Sequence, residues 1–246
     1  MLKRAIVVGA SSGIGAALVR RLVGEGYRVA AVARRRDVLE TLCDAVNGPG
    51  QPQALPFVHD VRAVEEAPTL FEDIVGALDG LDLVLYSAGI MPPIGPDEYD
   101  IEKDRRIVEV NLVGAMSWLD LAAQRFQAQG SGMIVGIGSV AGERGRRGNP
   151  AYAASKAALH TFLEALRNRL APHGVHVLTV KPGPVHTPMT EGVERLPMAI
   201  EADAAAGRIF GAIARRSQVT YVPFQWAFVM TAIRSIPSVV FRRMDL

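Results

Sequence analysis

Tyr152 and Lys156 stand four residues apart in Asn149-Pro-Ala-Tyr-Ala-Ala-Ser-Lys156. In a helix, residues at i and i+4 share one face, about 5–6 Å apart at Cβ. A free phenol titrates near pH ~10, and each unit of downward shift needs about 1.4 kcal/mol of differential stabilisation. A fixed positive charge alongside favours the phenolate and supplies part of that. The pair therefore reads as an acid/base device in which Lys156 makes Tyr152 acidic enough to exchange a proton. Taken alone, such a pair is an ordinary surface contact. What gives it chemical meaning is Gly9-Ala-Ser-Ser-Gly13-Ile-Gly15 at the other end of the chain.

Arg4-Ala-Ile-Val-Val8 is a short apolar, β-branched run, read as a buried parallel strand. The glycines follow at once, and Ala16-Ala-Leu-Val-Arg-Arg-Leu-Val23 then has helical periodicity. Strand, glycine turn and helix in that order set unpaired helix N-terminal amides opposite an anion. Glycines also let backbone approach a pyrophosphate without a Cβ in the way. Gly9, Ser11, Ser12, Gly13, Ile14 and Gly15 are thus the expected dinucleotide contacts, the alternative being a tight turn that binds nothing. The spacing is Gly-x-x-x-Gly-x-Gly, unlike the commoner Gly-x-Gly-x-x-Gly. The next apolar run, Tyr27–Ala33, ends in Arg34-Arg35-Arg36 rather than in an acid. An acidic strand end would bind a ribose 2′-hydroxyl, whereas arginine accommodates a 2′-phosphate. NADP(H) is therefore favoured over NAD(H), with Arg34 on the phosphate and Arg35 stacking nearby; the alternative leaves Arg35 or Arg36 facing solvent at a helix start.

Together these residues resemble the short-chain dehydrogenase/reductase family in its shorter form, and the likeness runs along nearly the whole chain. The family's glycine motif matches Gly9, Gly13 and Gly15, and its adenine-side Asp-Val matches Asp60-Val61. Its Asn-Asn-Ala-Gly appears as Tyr86-Ser87-Ala88-Gly89, which brings Ser87, Ala88 and Gly89 to the cofactor. Its catalytic asparagine matches Asn111, its serine Ser139, and its Pro-Gly motif Lys181-Pro182-Gly183-Pro184-Val185-His186-Thr187. Pro182, Gly183, Val185 and Thr187 are accordingly expected on the nicotinamide side. The resemblance implies hydride transfer between nicotinamide and a carbonyl or secondary alcohol, the cofactor carrying the hydride chemistry. It implies that Tyr152 exchanges the substrate proton, that Lys156 lowers the Tyr152 pKa and bonds the nicotinamide ribose, that Ser139 bonds the substrate oxygen, and that Asn111 positions a water. A capping hydroxyl and a helix-backbone ligand are the plainer alternatives for Ser139 and Asn111. Val8 replaces the usual threonine, and Tyr86-Ser87 replace both asparagines, which puts the family's bracing of the first and fourth strands in doubt. His186, where an acidic residue is frequent, has no assigned role.

The elements that must hold these groups alternate along the 246 residues. Strands are expected at 4–9, 28–33, 54–58, 82–86, 132–138, 175–181 and 219–222, with the clearest helices at 14–25, 62–79, 101–129 and 150–171. This predicts an α/β fold: a single-domain, doubly wound parallel sheet, Rossmann-like, with helices on both faces. No linker, charge run or repeat divides residues 1–246. The 27 basic and 25 acidic residues nearly cancel, giving no reason to expect nucleic acid as a partner. The five histidines show no metal-ligand spacing. Cys43 is alone and no signal peptide is evident, so a reducing cytoplasm is expected.

Met91–Pro96, Val140–Asn149 and a lid at Met189–Ala206 are expected to line the substrate pocket. Glu143-Arg144-Gly-Arg146-Arg147 reads either as capture of an anionic substrate or, the favoured reading, as a solvated or subunit-facing loop. The apolar extension 221–246 is too short to span a bilayer. Trp226, Val229, Met230 and Ile233 fit one helical face that packs on the pocket or a subunit, in preference to a membrane surface. Small alanines at 151, 153, 154, 157 and 158 permit close helix packing, and the resemblance implies a homodimer or homotetramer. The rival functions are an epimerase or dehydratase using the same pair, and a sensor or scaffold that binds NADP(H) without turnover.

Overall fold

The computed structural model describes residues 3–50, 52–95, 97–193 and 196–244. Its strands are β1 (Lys3–Val8), β2 (Tyr27–Ala33), β3 (Ala54–Val58), β4 (Leu83–Tyr86), β5 (Gly132–Ile137), β6 (Val175–Pro182), β7 (Val185–His186), β8 (Ile200–Glu201) and β9 (Val219–Val222). Seven of them form one parallel sheet in the order β3-β2-β1-β4-β5-β6-β9, while β7 and β8 make a small parallel pair. The helices are α1 (Gly13–Gly24), α2 (Arg36–Val46), α3 (Ala67–Leu78), α4 (Ile101–Val108), α5 (Gly114–Gln129), α6 (Pro150–Leu170), α7 (Ala202–Ala214), α8 (Trp226–Ser235) and α9 (Ser238–Phe241). This is the expected doubly wound, Rossmann-like sheet.

Strand alternation sorts the core into two layers. Ala5 and Val7 of β1, with Val29 and Ala31 of β2, pack toward α1 and α7 through Leu18, Leu22 and Ile209. Ile6, Val8, Ala30 and Val32 point the other way, toward Phe71, Ile74, Trp118, Leu159 and Leu163 of α3, α5 and α6. Period-two geometry in strands buried on both faces requires this division. The chain reverses direction along the sheet between β1 and β4, so the crevice beyond their C-terminal ends is where a ligand fits.

Three departures from the expected elements matter for that crevice. The helix expected at 62–79 begins only at Ala67, because the Asp60 carboxylate accepts the Arg62 backbone N–H (3.1 Å) and its guanidinium (2.6 Å), holding the segment in turns. The helix expected over 101–129 is interrupted by a π-helical segment, Glu109–Val113, that contains Asn111. Of the stretch expected as a lid, Met189–Ala206, the last residues Ala202–Ala206 instead open α7, with Ala205 and Ala206 buried against the sheet. Pro96 of the expected pocket loop, Glu194 and Arg195 of the lid, and Asp245 and Leu246 of the C-terminal extension lie outside the described residues.

The bracing that the altered β4 motif put in doubt has moved. Ser87 N–H donates to the Val8 carbonyl at 2.8 Å, so backbone alone joins the ends of β1 and β4. The fully buried Tyr86 phenol instead donates to the Val110 carbonyl at 2.6 Å, fastening β4 to the π-helical segment. Removing that hydroxyl would break this bond and leave a gap in the core. Tyr86→Phe is expected to cost about 1–3 kcal/mol of stability, read as a lower urea midpoint at unchanged m-value.

Candidate active site

Each side chain of the candidate centre is fixed by backbone bonds close to it. Asn149 holds a left-handed conformation (φ 47°) that starts α6, and its side chain accepts the Tyr152 N–H at 3.1 Å while donating to the Pro92 carbonyl at 3.0 Å. Pro150 then opens α6 at a position where a missing N–H costs nothing. One turn past Tyr152, the Lys156 ammonium reaches back to the Ile137 carbonyl at the end of β5, 2.9 Å away. Ser139 follows two residues later; its hydroxyl accepts the Ala141 N–H at 3.1 Å, leaving the hydroxyl hydrogen for another acceptor. The Asn111 side chain bonds the Ile90 backbone in both directions (2.7 and 3.0 Å) and donates to Ser155 Oγ at 3.2 Å.

A cleft of about 460 Å³ opens over these groups at the C-terminal edge of the sheet. Of the residues expected from the sequence, Gly9, Ser11, Ser12, Gly13, Ile14, Arg34, Arg35, Asp60, Val61, Ser87, Ala88, Gly89, Ser139, Tyr152, Lys156, Pro182, Gly183, Val185 and Thr187 border it. Gly15 and Asn111 stand behind the wall. Gly15 is required by packing, since a Cβ there would lie 2.1 Å from the Gly9 carbonyl oxygen. Gly9 itself has φ 89°, and a Cβ on it would lie 2.3 Å from the Ala88 amide. Asn111 Oδ1 and Lys156 Nζ both lie against Gly89, so Asn111 stands behind the wall at the point where Lys156 reaches the cleft.

The glycine loop fits a dinucleotide. Ser12 precedes α1, yet its side chain makes no cap, so the first amides of the helix keep their donors for an anion. Arg35 bonds Ser11 Oγ at 2.9 Å and so lies across the glycine loop, and Arg34 borders the same end of the cleft. Arg36 turns away to Glu40, 3.5 Å distant. Among the described residues no cluster of acids, histidines or cysteines could hold a metal ion, and no helix is long and apolar enough to cross a membrane.

The electrostatics differ from expectation in one respect. Burial pushes the Tyr152 phenol above its ordinary value, opposed by the Ser139 hydroxyl. Burial also brings Lys156 down to about 8. The ammonium stands 5.8 Å from the centre of the tyrosine ring, drawn aside by the Ile137 carbonyl. In the protein itself, therefore, desolvation outweighs the expected charge effect of Lys156, and the phenol stays protonated at neutral pH.

The basic loop differs from the solvated reading. Glu143 is buried between Lys181 and Arg234; Arg144 donates to the Ile233 carbonyl (2.5 Å) and lies 4.0 Å over the Phe241 ring; Arg147 donates to the Arg242 carbonyl (3.1 Å). The loop fastens α8 and α9 in place of lying free in solvent, because these helices end in carbonyls that guanidinium groups can cap. Trp226 and Met230 pack on Val140, with Val229 and Ile233 beside them, so the predicted apolar face covers the cleft wall.

His160 is the residue that sequence reasoning missed. It lies four residues beyond Lys156, continuing the Tyr152–Lys156 face, and its Nε2 accepts the Ser139 backbone N–H at 3.3 Å. The same i, i+4 spacing carried forward one turn was the available signal. It acts as a neutral acceptor, because burial and the nearby Lys181 charge bring its pKa to about 3.

Residues 3–196 match the family model described as short chain dehydrogenase. An uncharacterised oxidoreductase of Myxococcus xanthus is 32% identical over 240 residues, covering 97% of this chain and 94% of the relative. A short chain dehydrogenase from Burkholderia cenocepacia, solved in complex with NADP, is 25% identical with a TM-score of 0.83, covering 98% of this chain and 97% of that one. A variant of the actinorhodin polyketide ketoreductase, solved with NADPH, is 29% identical with a TM-score of 0.80, covering 90% of this chain and 95% of that one.

The neutral His160 makes stability depend on pH. The unfolded histidine takes a proton near its ordinary 6.5, whereas the folded one does so only near 3. Between those values the unfolded state binds more protons, so stability falls as pH falls. The urea midpoint of the wild type is expected to drop more steeply from pH 6.5 to 4 than that of His160→Gln.

Proposed function

The chain belongs to the short-chain dehydrogenase family of oxidoreductases, which use a nicotinamide cofactor, and from that premise we propose that it is an NADP(H)-preferring enzyme reducing a carbonyl to an alcohol. The observation that carries this is the convergence of Ser139, Tyr152 and Lys156 on one cleft with the uncapped helix α1 and two arginines at the end of β2. When bound, the cofactor supplies the hydride.

The residues of the chain do the rest. The amides opening α1 bind the pyrophosphate, and Arg34 and Arg35 hold the 2′-phosphate with charge-assisted bonds. The NADP and NADPH complexes of the two solved relatives support the same preference. Asp60 and Val61 border the adenine, and Ser87, Ala88, Gly89, Pro182, Gly183, Val185 and Thr187 line the remaining path. Ser139, its hydroxyl oriented by the Ala141 amide, donates to the substrate oxygen where charge develops. Tyr152, kept protonated by burial, gives its proton to the forming alkoxide. Lys156, near 8, restores that proton and bonds the nicotinamide ribose, and Asn111, held by Ile90, orders water behind it. Exposed Val113 and Met116, on the helical segment that packs against α6, support pairing of two subunits.

Tyr152→Phe is expected to fold and to bind NADPH with unchanged affinity while losing nearly all turnover across a panel of ketones and aldehydes; retained turnover would falsify the proton role. Arg34→Ala is expected to raise the KM for NADPH about tenfold or more, the value of a lost charge-assisted bond, while leaving the KM for NADH unmoved. Equal effects on both cofactors would place the arginine elsewhere.

A further inference from the structure

Arg146 is the charged residue of the cleft that hydride transfer leaves without a task. It borders the cleft with Ser139, Tyr152 and Trp226. The other charged groups of its loop have partners: Glu143 has Lys181 and Arg234, Arg144 has backbone carbonyls and Phe241, and Arg147 has the Arg242 carbonyl. Arg146 by contrast has one weak bond, to the Met230 sulfur at 3.7 Å. Its Nε is buried with no acceptor, and among the described residues no carboxylate pairs with it. A guanidinium keeps its charge and offers five donors, so half-burying one uncompensated is costly.

The deficit extends beyond this one side chain. Trp226, on the same face of α8 as Met230, leaves its buried indole N–H unpaired as well. Among the described residues, no acid other than Asp60, which Arg62 already holds, borders the cleft. Its cations Arg34, Arg35 and Lys156 are all assigned to the cofactor or the proton path. What Arg146 lacks among the described residues is an anionic partner, and a planar, doubly accepting anion would supply it.

Resting on the oxidoreductase reading above, we infer that Arg146 binds a carboxylate of the substrate, so that the protein reduces an oxo acid to the corresponding hydroxy acid. The carbonyl carbon gains the hydride, its oxygen takes the Tyr152 proton, the nicotinamide is oxidised, and the carboxylate leaves unchanged from Arg146. This differs from a purely structural arginine, which would hold Met230 and α8 without regard to the charge of a ligand.

Binding separates the two without relying on turnover. In the Tyr152→Phe protein saturated with NADPH, calorimetry would measure 4-oxopentanoate and 2-oxo-4-phenylbutanoate, each against its methyl ester. At least one acid is expected to bind about tenfold or more tightly than its ester, with Arg146→Gln removing the difference and Arg146→Lys keeping part of it. Unchanged melting temperatures of both variants would show that the fold is intact. Acids and esters binding alike, a preference that survives Arg146→Gln, or tighter binding of dihydroxyacetone phosphate than of either acid overturns the inference. Acid-selective binding with no oxo-acid turnover by the wild type would instead sink the catalytic reading and leave the carboxylate site standing.

Discussion

The candidate centre depends on α6 lying hard against the end of β5. Only at that distance does Lys156 reach the Ile137 carbonyl and His160 the Ser139 amide. The approach is set by residues that remove bulk: a Cβ at Gly136 would collide with Leu163, and one at Gly142 with the backbone of Lys156 and Ala157. Leu159, Leu163, Leu166 and Leu170 continue the same face of the helix into the core. The polar groups on that face are thereby buried as well, and the same packing that positions the tyrosine, lysine and histidine also strips them of water.

That burial explains why the acid/base pair behaves differently from its spacing. Spacing places Tyr152 and Lys156 on one face, and the structure keeps them there. Spacing carries no information about dielectric or about a competing acceptor. Within the low-polarity wall both groups shift toward their neutral forms, and the Ile137 carbonyl draws the ammonium aside. A neutral phenol beside a lysine near 8 makes a donor that can be recharged, which suits reduction better than an isolated phenolate would.

The sheet and its ligand edge were legible because parallel strands buried on both faces write themselves as unbroken apolar runs, and glycines must follow where backbone meets a pyrophosphate. The π-helical interruption at Glu109–Val113 was not, since apolar periodicity runs through it; its cause is tertiary, in the Tyr86 phenol that holds the Val110 carbonyl and the Asn111 amide that clasps Ile90. The loss of both asparagines from the β4 motif looked like lost bracing. It is better described as exchange, because one large phenol crosses to the helix while plain backbone joins the strands.

The solvated reading of the arginine-rich loop fails for a related reason. A run of three arginines within a few residues resembles a solvated surface when its partners lie far away in sequence. In the fold, Arg144 and Arg147 meet carbonyls where α8 and α9 end, and Glu143 draws in Lys181 and Arg234. Each of those contacts turns charge into an attachment for the C-terminal helices, which in turn lay Trp226 and Met230 over Val140. The clamp needs two arginines. Arg146, between them, faces the cleft, and a chain that used its basic residues only to fasten α8 would have no reason to leave this one short of acceptors.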